Sequence, residues 1–301
     1  MNNNKMTCFN INNMIKWKLS EPNLKSRLLM QYILDKPRQY LLVYDNQTLT
    51  LRQEVDYFKA IKRLSNGIPL QHITHMQEFM KMNFYVNENV LIPRPDTEVL
   101  VEEVIEIAKK INAKKILDLC TGSGAIAVSL AKYIEGSQIT AVDISLKALS
   151  VAKLNAKNNE VENQITFIES DLFKKLAKEK YDIIVSNPPY IKREIIKTLD
   201  KEVQKEPKIA LDGGYDGLDF YRKIIYQSDE YLKFMVNDTD ITTEERSRKQ
   251  AKLEYTYQQI LAIQAEQVNN KAELHDTNTK MAENMLESAN ILDFDKMIKK
   301  A

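Results

Sequence analysis

Cysteines are scarce in this 301-residue chain, and long apolar runs are missing from it. The two cysteines, Cys8 and Cys120, exclude a disulfide framework and a zinc site built from cysteines. No run of about 18 apolar residues occurs, so the sequence predicts no membrane-spanning helix. The Asn-rich N-terminus lacks the apolar stretch of a secretion signal. We therefore expect a cytoplasmic protein.

Charge of neither sign dominates. The chain has 43 basic and 42 acidic residues, a formal net charge of +1. Such a balance provides no overall field that would capture nucleic acid or an anionic membrane. We expect neither a membrane nor nucleic acid as a direct partner.

Glycine and proline are also few, and they end early. The chain has 7 glycines and 8 prolines, and residues 218–301 contain neither. A segment without turn-forming residues does not easily make several short strands, but it can make long helices. The sequence therefore predicts a helical tail over residues 235–301, whose partner it does not identify.

The N-terminal part has helical periodicity. Residues 1–12 are predicted to be a disordered arm, and residues 13–78 a small helical domain, with helices at 23–34 and 51–64. Both a packing unit and a docking surface for a partner fit this pattern. The apolar positions at helical spacing are Leu24, Leu28, Leu29, Tyr32 and Ile33 in the first helix, and Val55, Phe58, Ile61 and Leu64 in the second.

Extended pieces are predicted over residues 79–92, and the stretch IPRPDTE follows at 92–98. Its two prolines fix the backbone and disfavour a helix up to and including Pro95. We expect the next helix to begin near Glu98, with Asp96 or Thr97 as its cap.

Strands then alternate with helices. Buried strands are predicted at 115–119, 138–143, 164–169 and 181–185, and helices at 125–134 and 146–158. This alternation is typical of an α/β protein with a parallel, doubly wound sheet. Ligands in such sheets bind beyond the carboxyl ends of the strands.

Residues with nucleotide-binding chemistry follow three of these strands. In DLCTGSG at 118–124, Gly122 and Gly124 allow a ligand to approach the backbone, although a plain tight turn fits as well. Asp143 ends the next strand, where a carboxylate either accepts hydrogen bonds from ribose hydroxyls or caps the following helix. Asp171 and Leu172 follow the third strand and are placed to flank an adenine ring.

The sequence NPPY at 187–190 follows the fourth strand. Its prolines stiffen the turn and leave backbone carbonyls beside the side-chain carbonyl of Asn187. These acceptors together suit the two hydrogens of a planar NH₂ group, and Tyr190 is suited to stack on its plane. Such a nitrogen is a poor nucleophile, so catalysis depends on holding and aiming it at a strong electrophile. The sulfonium methyl group of S-adenosylmethionine is such an electrophile.

In combination these motifs resemble the class I S-adenosylmethionine-dependent methyltransferases and, more closely, the release-factor glutamine methyltransferase family of the HemK/PrmC type. The resemblance covers residues 13–234. It is carried by GIPLQHIT (67–74), QEF (77–79), VNENVLIPRPDTE (86–98), ILDLCTGSGAIAVSLA (116–131), AVDIS (141–145), SDLF (170–173), IVSNPPYI (184–191), EP (206–207) and ALDGGYDGLDFYRKII (210–225).

The resemblance implies a Rossmann-like domain behind a helical domain that helps to dock a peptide chain release factor. The implied reaction is methylation of the side-chain amide of the glutamine in the factor's GGQ motif, with S-adenosylmethionine as cofactor and no metal. The implied cofactor-binding residues are Cys120, Thr121, Gly122, Ser123, Gly124, Asp143, Leu172 and Asn187. The implied catalytic residues are Asn187, Pro188, Pro189 and Tyr190.

Cys120 stands where many members of the family have glycine, and a small side chain is expected to fit there. We do not interpret Cys120 as a nucleophile, because no histidine or cation near it in the sequence suggests a lowered thiol pKa.

The resemblance stops after Phe234, where the family continues with further strands. We therefore expect an incomplete methyltransferase domain over residues 79–234. Its fourth strand, with Ile183, Ile184 and Val185, would become an apolar edge. Either the tail covers this edge, or the chain is a fusion product, or it is a relic of an enzyme. We favour the fusion, which predicts weak activity.

Two alternative functions stay open. One is an adenine N6-methyltransferase that acts on DNA or RNA, since adenine also has a planar NH₂ group; the neutral net charge speaks against it. The other is a catalytically impaired fusion protein that acts through its helical tail.

Overall fold

A computed structural model describes residues 22–44 and 47–233, in which four α-helices come first and strands and further helices follow. The α-helices here are α1 (Pro22–Leu34), α2 (Arg38–Val43), α3 (Leu51–Ser65), α4 (Leu70–Thr74), α5 (Pro95–Ile111), α6 (Ala125–Tyr133), α7 (Leu146–Asn158) and α8 (Asp219–Ser228). The strands are β1 (Met76–Phe79), β2 (Met82–Tyr85), β3 (Lys115–Leu119), β4 (Gln138–Asp143), β5 (Ile165–Glu169) and β6 (Ile183–Ser186). Within these residues no helix is long and apolar enough to cross a membrane. The predicted disordered arm, the predicted helical tail and the capacity of the tail to cover the sheet lie outside the described residues.

The helices α1 to α4 share an apolar core. Its fully buried members include Leu29, Met30, Leu41, Tyr57 and Ile61. Helices α1 and α3 were predicted, whereas the short helices α2 and α4 were not.

The predicted inner faces of α1 and α3 are partly wrong. Leu29 is buried, but Leu24, Leu28 and Tyr32 are exposed, because α1 turns Ser26 inward, where its hydroxyl lies 3.1 Å from the hydroxyl of Tyr57. Exposed residues of the predicted α3 face are Val55 and Phe58; buried ones are Ile61 and Leu64.

The N-terminal helices also contact a segment that follows NPPY. Lys25 is 8% exposed and forms an ion pair with Glu202. Gly67 lies against Lys201 so closely that a Cβ at Gly67 would be 2.8 Å from the Cβ of Lys201. The helical core is thereby fixed to residues 201–202.

Strands β1 and β2 form an antiparallel hairpin that pairs Met76 with Tyr85. The predicted extended piece at 90–92 is not a strand in the structure. Helix α5 begins at Pro95, three residues before the predicted start, and its N-cap is Arg94. Proline suits the first helical position, where its missing N–H would have no intrahelical partner. Asp96 and Thr97 therefore lie within the first turn, and neither caps the helix.

The four remaining strands form a parallel sheet in the order β5-β4-β3-β6. Strands β3 and β4 have the predicted bounds, whereas β5 begins at Ile165 and β6 runs from Ile183 to Ser186. Strands β4 and β5 lie on one side of β3, and β6 lies on the other side. The crevice at the carboxyl end of β3 is therefore the expected ligand site of a doubly wound sheet.

The chain that leads into β6 has a neighbour on its outer side. After α8 the chain returns and makes a parallel bridge between Leu232 and Tyr181. The N–H of Tyr181 donates to the carbonyl of Tyr231 at 2.7 Å, and the N–H of Lys233 donates to the carbonyl of Tyr181 at 2.9 Å. This single bridge lies before Ile183, the first residue of β6. Strand β6 itself has β3 as its partner strand within the described residues.

Candidate active site

A cavity of about 200 Å³ lies at the carboxyl ends of the parallel strands. It is lined by residues that follow each of the four strands and by the loop before α5. Its lining includes Cys120, Thr121, Gly122 and Ser123 after β3, Asp143, Ile144 and Ser145 after β4, Ser170, Asp171 and Leu172 after β5, Asn187 and Pro189 after β6, and Leu91, Pro93, Arg94 and Thr97 before or within α5.

The glycine loop turns from β3 into α6. Gly124 is the N-cap of α6 in a left-handed conformation (φ 79°), and a Cβ there would be 2.9 Å from the Cβ of Ala152 in α7. This residue must be glycine for two reasons, its φ angle and the close approach of α7. Gly122 also has a positive φ, but a Cβ there would meet no atom closer than 4.0 Å.

Cys120 has a φ of 60°, in the left-handed region that favours glycine. This position therefore restricts the backbone conformation of the residue as well as the size of its side chain. The family resemblance predicted only the restriction on size. Burial, together with the nearby carboxylates of Asp143 and Asp118, raises the pKa of the Cys120 thiol to about 12. Such a thiol stays protonated at neutral pH and is a poor nucleophile.

Asp143 is held by the backbone around it. Its carboxylate accepts hydrogen bonds from the N–H of Gly122 at 2.8 Å and from the N–H of Ser145 at 2.9 Å. Burial raises the pKa of Asp143, while these N–H groups lower it. The N-cap of α7 is Ser145 rather than Asp143. Because each carboxylate oxygen keeps a free lone pair, Asp143 can also accept from a ligand in the cavity.

Asp118 was not singled out from the sequence, although it opens the DLCTGSG motif. It is fully buried, and one of its oxygens accepts from the Thr121 hydroxyl at 2.6 Å. Among the described residues, its other oxygen, Oδ1, has no hydrogen-bond partner. Burial raises the pKa of Asp118 to about 7. The signal that could have found it is an acidic residue in an otherwise apolar strand.

The NPPY motif contributes unequally to the cavity. Asn187 and Pro189 line it, whereas Pro188 and Tyr190 do not. The side-chain Nδ2 of Asn187 lies 3.1 Å from Oγ1 of Thr97, at the first turn of α5. The stretch IPRPDTE therefore contributes Thr97 as a direct neighbour of the predicted catalytic residue Asn187. The sequence analysis did not predict this contact.

A glycine-rich loop supports NPPY from behind. A Cβ at Gly213 would be 2.7 Å from the Cα of Tyr190, and one at Gly217 would overlap the carbonyl oxygen of Tyr190. The loop is fastened by the N–H of Gly213, which donates to the carbonyl of Ile191 at 2.9 Å. These glycines explain on steric grounds why the DGGYDG stretch accompanies NPPY.

In the part of the chain that the structure describes, no group of three or more His, Cys, Asp or Glu side chains is placed to hold a metal ion. His72, which is buried, lies in α4.

Comparison with known proteins identifies the family. The "PrmC N-terminal domain" family model matches residues 17–74, and the "Methyltransferase small domain" model matches residues 95–212. A release factor glutamine methyltransferase of Clostridium acetobutylicum is 44% identical over 214 residues, which are 69% of this chain and 74% of that protein. The chain belongs to the release factor glutamine methyltransferase family.

Further members of the family show the same extent of similarity. The release factor glutamine methyltransferase of Clostridium botulinum is 38% identical over 72% of this chain and 78% of its own length. That of Moorella thermoacetica is 40% identical over 69% of this chain and 73% of its own length. The Rossmann-like α/β fold and the class I methyltransferase assignment, both expected from the sequence, are confirmed. The chain is therefore a methyltransferase, and every predicted site residue lies within the residues 95–212 that match the methyltransferase model.

Proposed function

We propose that this protein transfers a methyl group from S-adenosylmethionine to the side-chain amide nitrogen of the glutamine in the GGQ motif of a peptide chain release factor. The observation that carries the proposal is the shared cavity, in which Asn187 and Pro189 face the same space as Gly122, Asp143 and Leu172. Residues suited to hold a substrate amide and residues suited to hold a nucleoside therefore line the same cavity.

The residues present fit S-adenosylmethionine. The carboxylate of Asp143, fixed by two backbone N–H groups, suits ribose hydroxyls. Leu172 is 5% exposed and offers an apolar surface for adenine. The glycine loop with Thr121 and Ser123 suits the methionine portion. When bound, this cofactor supplies an electrophilic sulfonium methyl group.

The chain's own residues act by holding the substrate amide. Oδ1 of Asn187 accepts one hydrogen of the substrate NH₂ group, and a backbone carbonyl of the stiff turn accepts the other. This fixes the nitrogen and draws its lone pair out of conjugation as the new N–CH₃ bond forms. The amide nitrogen would take the methyl group as the S–CH₃ bond of the cofactor breaks with its electron pair remaining on sulfur, and it would release one of its two hydrogens as a proton to water. No metal is required.

The roles proposed for the individual NPPY residues differ. Asn187 and Pro189 face the cavity, whereas Tyr190 is 38% exposed and would contact the substrate only from the rim. Pro188 is buried and serves to keep the turn rigid.

The experiment combines the full chain, S-adenosylmethionine and a purified release factor, followed by mass spectrometry of the peptide that contains GGQ. We expect one added methyl group on the glutamine. Asn187→Ala should bind the cofactor, measured by calorimetry, but should lose transfer by about 100-fold or more. Adenine-containing DNA and RNA are the control substrates. Methylation of adenine, with an unmodified release factor, would replace the proposal by the nucleic-acid alternative.

A further inference from the structure

Thr97 and Asn187 meet at the wall of the cavity, although 90 residues separate them. Thr97 is half-buried in the first turn of α5, and its backbone N–H donates to the carbonyl of Arg94 at 3.0 Å. Both side chains line the cavity. The Nδ2 group of Asn187 donates to Oγ1 of Thr97 at 3.1 Å.

The direction of this hydrogen bond determines what Asn187 offers to a substrate. A side-chain amide has a donor end and an acceptor end, and only the acceptor end can hold the hydrogens of an NH₂ group. With Nδ2 engaged by Thr97, Oδ1 is left for the substrate. In the reversed orientation Nδ2 would face the substrate, and two N–H groups would oppose one another.

The segment that leads into Thr97 is held by Glu206. The preceding residues Ile92 and Arg94 are both bound by the carboxylate of Glu206, which is 5% exposed. Oε2 of Glu206 accepts from the N–H of Ile92 at 2.8 Å, and Oε1 pairs with Arg94. The first turn of α5 is therefore fixed where it meets NPPY.

We propose that Thr97 is a positioning residue, whose hydroxyl holds the Asn187 amide with Oδ1 toward the substrate. The inference rests on the proposed function, because it concerns the same substrate amide. It assigns a role in the reaction to the stretch IPRPDTE, which lies outside both the glycine loop and NPPY.

The test compares Thr97→Val with Thr97→Ser in the full chain. Valine keeps the β-branched shape and removes the hydroxyl, and serine keeps the hydroxyl. We expect kcat with release factor to fall about 10- to 100-fold in Thr97→Val, since a loosely held catalytic group costs about that much. The Kd for S-adenosylmethionine should stay within about twofold, and Thr97→Ser should restore most of kcat.

A second measurement does not depend on turnover. Two-dimensional ¹⁵N–¹H NMR records the side-chain NH₂ of Asn187, assigned by its loss in Asn187→Ala. In the wild-type protein its hydrogens should exchange slowly with water, because one of them is engaged by Thr97, and exchange should accelerate in Thr97→Val but not in Thr97→Ser.

Three results would overturn the inference: an unchanged kcat in Thr97→Val, an equal loss in Thr97→Ser, or unchanged exchange of the Asn187 amide in Thr97→Val. A wild-type protein that does not methylate the release factor would instead defeat the proposed function. In that case the exchange measurement alone still decides whether Thr97 orients Asn187.

Discussion

The carboxylate of Glu206 accepts a hydrogen bond from the backbone N–H of Ile92, 114 residues earlier in the chain. The same carboxylate pairs with Arg94, and it is 5% exposed. One buried side chain thus joins the segment before α5 to the segment after NPPY, and both segments line the cavity.

Replacing Glu206 should loosen this junction. We expect Glu206→Ala to lower the free energy of unfolding by about 3 kcal/mol, because it leaves a buried N–H and the Arg94 guanidinium without their acceptor. Glu206→Gln keeps an acceptor for Ile92 and should lower the free energy of unfolding by about 1 kcal/mol. Urea unfolding of both variants measures the difference. Equal stability of the alanine variant and the wild type would show that water replaces these bonds.

Gly136 lies outside the glycine loop and serves as a control for Gly124, which lies within it. Both have positive φ, but a Cβ at Gly136 would meet only the Nζ of Lys114 at 3.8 Å, whereas one at Gly124 would overlap Ala152. We expect Gly136→Ala to cost about 1 kcal/mol, from backbone strain alone. Gly124→Ala should cost about 2 kcal/mol more, and it should weaken cofactor binding about tenfold. Thermal unfolding and calorimetry test this ordering, and similar losses in the two variants would argue against it.

Asp118 should make stability depend on pH. Burial raises the pKa of this carboxyl to about 7 in the folded protein, against an ordinary value of 3.8. Between these two values the folded state holds one proton more than the unfolded state. The free energy of unfolding should therefore decrease by up to about 1.4 kcal/mol per pH unit as the pH rises from 4 to about 7.

The comparison with Asp118→Asn isolates this contribution. The amide does not titrate, so the difference in stability between variant and wild type should change across this pH range and level off above about pH 7. A difference that stays constant with pH would show that Asp118 is ionised throughout.

Cys120 provides a test of backbone conformation. Because its φ is 60°, a β-branched residue is strongly disfavoured there, whereas glycine is not. We expect Cys120→Val to lower the free energy of unfolding by about 2 kcal/mol, and Cys120→Gly to change it by less than about 1 kcal/mol. Chemical denaturation measures both. A valine variant as stable as the glycine variant would contradict the left-handed conformation.

Local patterns sufficed to predict β3, β4 and the turns that follow them, because a buried strand and a glycine turn are encoded by adjacent residues. They did not show which side of α1 is buried, since Leu24 and Leu29 are equally apolar and only the contact with α3 distinguishes them. Nor could they predict that Thr97 meets Asn187. That pairing depends on the sheet bringing distant loops together, and nothing local in the sequence signals it.

The contacts of Lys25 with Glu202 and of Gly67 with Lys201 connect the N-terminal helical core to residues 201–202. Residues 201–202 follow the NPPY turn, which carries Asn187, in the sequence. This segment therefore connects the N-terminal helices to that turn. A displacement of α1 is therefore expected to move residues 201–202, which Lys25 contacts through Glu202. If the proposed function holds, a release factor bound by the N-terminal helices and a glutamine amide bound by Asn187 would be positioned relative to each other through this one segment.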